Sequence, residues 1–214
     1  MPAGLNKKSD EEDSKSRRRP GARRLQILQT LAAMLEDPRA GKVTTASLAA
    51  RLEVSEAALY RHFASKAQMF EGLIEFIEST VFSLINEIAG RETSGSQQLR
   101  KTVRMLLEFA QTNKGMTRVL IGDALVNEND RLQERMNQLF DRIESSLKQS
   151  LRLAVTQGEL PADFDAAARA SMGLAFVVGR WHRYAKSGFK RLPAEGIEQH
   201  LAALVAEARK APVE

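Results

Sequence analysis

The residues best suited to chemistry lie close together, between positions 44 and 66, and they are suited to binding rather than to bond breaking. This stretch combines hydroxyl, carboxylate, phenol, guanidinium, imidazole and ammonium groups with small side chains. Such groups can contact phosphate oxygens or pair with the edges of bases, so the pattern predicts a nucleic-acid contact. The candidate residues are Thr44, Thr45, Ser55, Glu56, Ala57, Tyr60, Arg61, His62 and Lys66.

Two short helices are predicted to position these side chains. Thr44 and Thr45 can cap a helix that ends near Arg51, and Ser55 can cap a second helix that ends near Phe63. Two short helices joined by a turn of a few residues are what a helix-turn-helix requires, with the second helix in the major groove of double-stranded DNA. The sequence therefore predicts this motif, with Phe63 buried behind it.

The outward side chains of the second helix have different predicted partners. Ala57 is small enough for close approach and its methyl can meet a thymine methyl, while Glu56 can accept from a cytosine amine. Tyr60, His62 and Lys66 are sized for phosphate oxygens, and Lys66 lies at a helix start, where free N–H groups favour an anion. Taken singly, Tyr60 could be a packing residue, and His62 and Lys66 could be solvated surface residues.

Positive charge is concentrated at the N-terminus. Residues 1–24 hold eight Lys or Arg and four Asp or Glu, whereas the rest of the chain holds 24 basic and 23 acidic residues. A basic run suits a polyanion, because each phosphate that it neutralises releases counterions. Residues 1–20 are predicted to be a disordered basic arm, with a merely solvated tail as the alternative. Arg23 and Arg24 join the candidates for DNA binding.

The composition disfavours several other classes of protein. Cysteine is absent, so no disulfide or thiolate metal site can form. No apolar run is long enough to span a bilayer and the N-terminus lacks a signal-peptide pattern, which predicts a cytoplasmic protein with no membrane partner. His182 and His200 fit no metal-ligand spacing, nucleophile motif or phosphate-binding loop. We therefore expect a protein that is not an enzyme and uses no metal or cofactor.

Helical periodicity without any strand pattern predicts an all-α fold. The predicted domains are a helix-turn-helix domain over residues 21–68 and a helical domain for dimerisation and partner binding over residues 69–214. The predicted helices, roughly nine in number, span residues 23–36, 45–51, 55–63, 65–87, 99–110, 116–127, 130–155, 164–184 and 194–209.

A homodimer is predicted from the second half of the chain. Residues 172–181 are apolar on all sides, so a helix there must be buried on several sides, and we expect Trp181 and His182 at the subunit interface. The long helix at residues 130–155 has an apolar seam and a densely charged outer face, which permits a coiled-coil contact. Two subunits on a two-fold axis imply a palindromic DNA site.

The stretch from Thr44 to Lys66 closely resembles the DNA-binding domain of the TetR family. Its most recognisable part is Leu-Tyr-Arg-His-Phe at residues 59–63, followed by Ser65 and Lys66. The resemblance implies a TetR-like protein, with an N-terminal three-helix domain that contains the helix-turn-helix and a helical C-terminal dimerisation or regulatory domain. Glu53 stands in the turn, where the family often has glycine, and a left-handed conformation there would cost about 1–2 kcal/mol.

Three further segments resemble the nucleoid occlusion factors within this family. The resemblance implies a nucleoid-associated homodimer that binds chromosomal palindromes and, in the DNA-bound form, antagonises polymerisation of the tubulin-like division GTPase FtsZ. It places the FtsZ contact where the fourth and fifth helices meet, with Phe76, Met105 and Asn113 as candidates, although Phe76 could instead be a core residue. The segments are residues 70–78, 113–125 and 130–147.

The main alternative is a TetR-family transcriptional repressor that releases DNA when a small ligand enters the C-terminal domain. The ligand would occupy a cavity among the helices of residues 99–151. No isolated polar residue on an apolar face indicates such a ligand, so none is expected. A solidly packed interior would argue against an inducer, whereas an enclosed pocket of roughly a few hundred Å³ would argue for one.

Overall fold

The computed structural model of the chain describes residues 21–37 and 42–206, and this part is helical throughout. The arm predicted at residues 1–20 lies outside the described residues. Nine α-helices and a short 3₁₀ turn, Asp123–Leu125, are present in the described part, which confirms the all-α prediction. The helices are α1 Ala22–Met34, α2 Thr45–Arg51, α3 Glu56–Tyr60, α4 Lys66–Arg91, α5 Gly95–Thr112, α6 Lys114–Leu120, α7 Asp130–Thr156, α8 Ala166–Lys186 and α9 Ile197–Leu204.

Helices α1 to α3 form the N-terminal domain around a small apolar core. Ile27, Leu48, Leu59 and Phe63 are each at most 1% exposed, so all three helices contribute to that core. The next helix, α4, passes from this domain into the C-terminal domain, and the predicted boundary at residue 68 falls inside it. A long shared helix restricts how independently the two domains can move.

Helices α4 to α9 form the C-terminal domain, in which α7 and α8 pack against each other and against α5. The apolar seam predicted for α7 is buried inside the chain. The seam that could have formed a coiled coil with another chain is therefore covered by helices of the same chain. Its fully buried members are Leu132, Met136, Leu139, Ile143, Leu147 and Leu151. No helix in residues 21–37 and 42–206 has the length and apolar character that crossing a membrane requires.

Two glycines that lie outside the helices predicted at residues 99–110 and 116–127 belong to helices in the structure. Gly95 begins α5, where an added Cβ would lie 2.3 Å from the backbone nitrogen of Ala154 in α7. Gly115 lies within α6, where a Cβ would lie 1.9 Å from the carbonyl oxygen of Ala32 in α1. Both glycines therefore permit close helix packing, and the second brings the two domains into contact.

The predicted helix at residues 116–127 is also corrected. Helix α6 ends at Leu120, and the chain turns at Gly122, whose φ of 77° lies in the left-handed region that glycine adopts without strain. The chain then forms the 3₁₀ turn and a second left-handed residue, Asn127, with a φ of 60°. This segment is therefore a loop that connects α6 to α7 and contacts the N-terminal domain, instead of a regular helix.

The prediction for Trp181 was wrong. Its side chain is fully buried within its own chain, where Nε1 donates to the carbonyl oxygen of Leu106 at 3.0 Å. Helix α8 is not buried on all sides either, because Met172 is 60% exposed and His182 is exposed. The helix thus has one face in the core and one apolar face that other parts of the described chain do not cover.

Candidate nucleic-acid interface

Helix α2 begins as the sequence predicted, with Thr44 as its N-cap. The Thr44 hydroxyl accepts a hydrogen bond from the backbone N–H of Ser47 at 3.1 Å, and the Ser47 hydroxyl oxygen accepts from the backbone N–H of Thr44 at 3.0 Å. Each residue satisfies a backbone donor that the first turn of a helix leaves free. The start of the helix-turn-helix is therefore fixed by local contacts.

The turn and the second helix complete the motif. Glu53 has a φ of 55°, so the turn adopts the left-handed conformation that glycine often supplies at this position. Ser55 caps α3 by accepting from the backbone N–H of Ala58 at 3.3 Å. The Thr45 hydroxyl in α2 donates to Glu56 Oε2 in α3 at 2.6 Å, so a side-chain contact also ties the two helices together. The Glu56 carboxylate, which we expected to accept a hydrogen bond from a cytosine amine, therefore already accepts one within the protein.

One face of α3 is buried and the other is open to a ligand. Leu59 and Phe63 are each 1% exposed, as the sequence predicted for Phe63, whereas Tyr60 is 45% exposed. Ala57, Arg61 and His62 are also exposed. The structure thus leaves Ala57, Tyr60, Arg61 and His62 exposed on or directly after the recognition helix, whereas Lys66 lies on α4. Their contacts with DNA stay predictions.

Arg24 has a role within the chain that the sequence analysis missed. Its guanidinium lies over the Phe63 ring, 4.1 Å from the ring centre, and donates to the carbonyl oxygen of His62 at 2.7 Å. It therefore holds the end of the recognition helix against α1. The neighbouring Arg23 donates to Gln26 Oε1 at 2.8 Å. Both arginines stay candidates for DNA, now with defined partners in the protein.

Lys66 lies at the start of α4, but its side chain has a carboxylate partner. Its Nζ is 2.6 Å from Glu128 Oε1, and Lys42 Nζ is 3.3 Å from the same oxygen. Lys42 also donates to the carbonyl oxygen of Asn127 at 3.2 Å. Sequence reasoning missed Lys42 and Glu128, because a contact across 62 residues leaves no local pattern.

A second group of contacts links the same domains beside Glu128. Arg118 in α6 donates to the carbonyl oxygens of Leu35 and Asp37, each at 3.2 Å, at the end of α1. Arg118 and Lys186 also pair with Asp123, at 2.7 Å and 2.6 Å. The hydrogen bond from Lys186, together with the Arg118 guanidinium, holds the pKa of Asp123 below its usual range despite partial burial. We call these contacts and the Glu128 cluster the interdomain junction.

The three partner-binding candidates are divided between two grooves. Phe76 and Asn113 line one cavity of about 280 Å³ between α1, α4 and α6, where Phe76 is half-buried. Asn113 Nδ2 donates to the carbonyl oxygen of Phe109 at 2.8 Å, and within the described residues its side-chain oxygen accepts no hydrogen bond. Met105 instead lines an apolar cavity of about 280 Å³ with Leu84, between α4 and α5. The structure thus brings together two of the three candidates.

The fold and the outward surface of α3 define a class of protein. Residues 28–73 match the family described as bacterial regulatory proteins, tetR family, and residues 95–208 match a SlmA-like, tetracyclin repressor-like C-terminal domain. The protein is accordingly a TetR-class DNA-binding regulator and not an enzyme. Within this class, the chain belongs to the family of the nucleoid occlusion factor SlmA.

Similarity to individual SlmA proteins extends over most of the chain. It is 50% identical to the nucleoid occlusion factor SlmA of Idiomarina loihiensis over 173 residues, which cover 81% of this chain and 88% of that protein. It is 47% identical to SlmA of Vibrio cholerae over 186 residues, covering 86% and 95%. Both domains and the helix that joins them are therefore shared with these proteins.

Solved structures of lower sequence identity share the fold. The fatty acid degradation regulator FadR from Bacillus halodurans has a TM-score of 0.75 at 14% identity, covering 91% of this chain and all of that chain. A TetR-like transcriptional regulator from Rhodococcus has a TM-score of 0.68 at 18% identity, covering 88% and 96%. At these identities the likeness concerns the arrangement of helices alone.

Proposed function

We propose that this protein is a nucleoid occlusion factor that binds palindromic chromosomal DNA as a homodimer and, in the DNA-bound form, antagonises FtsZ polymerisation in the cytoplasm. The observation that carries the proposal is the 50% identity to a SlmA protein over 88% of that protein's length. The exposed surface of α3 supports the DNA-binding part, and the face of α8 supports the dimer.

The proposed dimer contact is the uncovered face of α8. Met172, Ala175, Gly179 and His182 recur every three or four residues and are all exposed, so they lie along one side of the helix. A Cβ added at Gly179 would meet no atom within 4 Å, which leaves space for another helix to approach. A second copy on this face would present two recognition helices to half-sites about one helical turn, roughly 34–36 Å, apart.

Some of the proposed DNA contacts position the protein on the phosphate backbone, and others distinguish one base from another. Tyr60, His62 and Lys66 contact phosphates and fix the register of the recognition helix, and Ala57 and Glu56 face the bases. Glu56 would do so while it holds the Thr45 hydroxyl, which restricts the directions its carboxylate can adopt. The remaining proposed DNA contacts are Arg23, Arg24, Thr44, Thr45, Ser55 and Arg61.

The proposed FtsZ contact uses the groove that Phe76 and Asn113 share. A half-buried aromatic ring beside a free amide oxygen can hold an apolar side chain and accept a backbone hydrogen bond from an extended peptide. The groove adjoins α1, so a peptide there would lie close to the DNA-binding domain. The separate cavity at Met105 would extend the same partner surface along α4 and α5.

FtsZ sedimentation tests the proposal directly. FtsZ is assembled with GTP in the presence of the protein, with and without a DNA duplex selected by the protein from a random pool. The proposal predicts less sedimented FtsZ when both protein and selected DNA are present. Equal sedimentation in all samples would reject FtsZ antagonism and leave a DNA-binding regulator of another process.

The proposed FtsZ surface has its own test. Asn113→Ala should keep DNA affinity but lose most of the effect on FtsZ sedimentation, whereas Asn137→Ala, an exposed asparagine of α7, should keep both. Thermal unfolding of both variants shows whether the loss of the Asn113 hydrogen bond disturbs the fold. An unchanged FtsZ effect with a well-folded Asn113→Ala variant would exclude this surface.

A ligand-responsive repressor is not favoured by the interior of the C-terminal domain. Val103, Leu106, Ile143, Leu147 and Val177 are all 0% exposed and belong to one contiguous core. Each deeply buried side-chain nitrogen or oxygen in the described residues has a hydrogen-bond partner in the protein. Four of these five residues lie in the helices of residues 99–151, where an inducer was expected to bind, and the cavities at Asn113 and Met105 are open surface grooves. The proposal therefore includes no small-molecule ligand.

A further inference from the structure

Lys66 forms an ion pair with a residue of the C-terminal domain. Its side chain is only 23% exposed, and the Glu128 side chain that it pairs with at 2.6 Å is 9% exposed. Its Nζ also lies 5.5 Å from the centre of the Phe70 ring. A lysine in this position must change its contacts to give its full charge to a phosphate.

Glu128 has a second lysine that can keep it paired if Lys66 leaves. Lys42 lies just before the cap of α2 and is 56% exposed, with its Nζ 3.3 Å from the same Glu128 oxygen. Two ammonium groups thus share one carboxylate. Burying an unpaired carboxylate is costly, so the second lysine makes the release of the first one feasible.

The loop that carries Glu128 holds the carboxylate in place. The Glu128 backbone N–H donates to the carbonyl oxygen of Leu125 at 3.0 Å, and Leu125 is buried. Asn129 then caps α7, and Asp123 ties the start of the segment to Arg118 and Lys186. Because this loop is anchored on both sides, Glu128 cannot simply follow Lys66 towards a ligand.

We propose that Glu128 competes with a DNA phosphate for Lys66 and thereby sets the DNA affinity of the N-terminal domain. In the free protein the carboxylate holds Lys66. On DNA, Lys66 exchanges Glu128 for a phosphate oxygen while Lys42 remains on Glu128. The inference rests on the proposed contact between Lys66 and phosphate. It makes Glu128, a residue of the C-terminal domain, a positioning residue for DNA binding.

Glu128→Gln removes the competing charge and keeps nearly the same shape. We expect this variant to bind DNA about two- to tenfold more tightly at low salt, which is the range of a single partly exposed ion pair. The gain should shrink as salt rises, because it comes from charge. Fluorescence anisotropy of a labelled duplex, over a series of salt concentrations, measures the DNA affinity and its dependence on salt. The duplex is either the selected site or a random sequence.

Glu78→Gln is the matched control. Glu78 is 14% exposed and, like Glu128, pairs with two basic side chains, Arg135 and Arg142, but all three lie in the C-terminal domain. Its loss changes net charge by the same amount without touching Lys66. Unchanged DNA affinity in this variant shows that the gain in Glu128→Gln is local. Thermal unfolding of both variants checks that they remain folded.

Lys66→Gln, made alone and together with Glu128→Gln, separates the inference from the function on which it rests. If Lys66 exchanges Glu128 for a phosphate, Lys66→Gln should weaken DNA binding and abolish the gain in DNA affinity that Glu128→Gln produces. If Glu128→Gln still raises DNA affinity when Lys66 is replaced, the gain comes from general repulsion between Glu128 and DNA. The proposed exchange at Lys66 would then be wrong. Weaker binding by Glu128→Gln alone would overturn the competition. If Lys66→Gln changes nothing in either background, the phosphate contact itself is rejected, while FtsZ sedimentation still tests the wider function.

Discussion

The outward surface of α3 and the interdomain junction are both polar, but their side chains are used in opposite ways. Tyr60, Arg61 and His62 are exposed and have no side-chain hydrogen bond or ion pair with the described residues. At the junction, by contrast, Lys66 and Arg118 are engaged by carboxylates. Side chains without internal partners can meet DNA at no cost to the fold. Substitution on α3 should therefore change binding alone, and substitution at the junction should also change stability.

The contact between α1 and α6 gives the largest expected effect. Gly115→Ala should destabilise the protein by about 2 kcal/mol or more, because a Cβ would lie 1.9 Å from the Ala32 carbonyl oxygen and the helices must separate. Gly90→Ala in α4 is the matched control, since its Cβ would meet nothing within 4 Å and alanine favours a helix by up to about 1 kcal/mol. Urea unfolding measures both. Equal stability of the two variants would contradict the close approach of α1 and α6.

The same contrast explains how far sequence reasoning could go. The helix-turn-helix was predictable because its signals are local: the caps Thr44 and Ser55, the left-handed turn at Glu53 and the apolar spacing that ends at Phe63 all act within a few residues. The outward set on α3 followed from the same spacing. Local contacts of this kind leave a pattern in the sequence that remains valid in the folded chain.

The junction was not predictable for the opposite reason. Nothing near Glu128 in the sequence indicates that it meets Lys42 and Lys66, because helix packing alone brings these residues together. The helix predicted at residues 116–127 excludes Gly115, because a glycine required for close packing looks like any other in a single sequence. Trp181 was assigned to the dimer because apolar residues surround it, and apolar character does not tell which face lies in the chain's own core.

Tyr60 tests the claim that α3 acts in binding alone. Tyr60→Ala should weaken binding about three- to tenfold on every DNA sequence, because a phosphate contact carries no sequence information. Its unfolding free energy should change little, since the side chain is 45% exposed. Anisotropy with the selected duplex and with a scrambled one measures both affinities, and Tyr60→Phe isolates the hydroxyl. Lost preference at a single base position would instead assign Tyr60 to a base.

Asp123 tests whether charge stabilises the junction. Because its pKa is lowered in the folded protein, Asp123 stabilises the fold above its ordinary pKa, and this contribution is lost as pH falls through the lower, folded value. Asp123→Asn should therefore cost about 1 kcal/mol at pH 7. The difference from the unsubstituted protein should start to shrink below about pH 4. Urea unfolding from pH 7 to pH 3 measures it, with the exposed Asp141→Asn as control. A difference that does not vary with pH would exclude an ionic cause.

The smallest expected effect concerns the one place where α3 resembles the junction, the contact between Thr45 and Glu56. Thr45→Val removes the hydroxyl that donates to Glu56 at 2.6 Å and should cost less than about 1 kcal/mol of stability, because both side chains are near the surface. Its effect on DNA binding should be a change in base preference. A carboxylate freed from Thr45 can turn, so preference should change at the base pair that Glu56 faces while affinity for random DNA stays constant.

Glu56→Gln, alone and with Thr45→Val, completes that test, scored by competition among duplexes that differ at single positions. If Glu56 discriminates bases, Thr45→Val should shift the preference only while the carboxylate is present, and the double variant should match Glu56→Gln. If the preference never moves, Glu56 serves the fold alone. The recognition helix would then contain a side chain that is paired inside the protein in the same way as those at the junction.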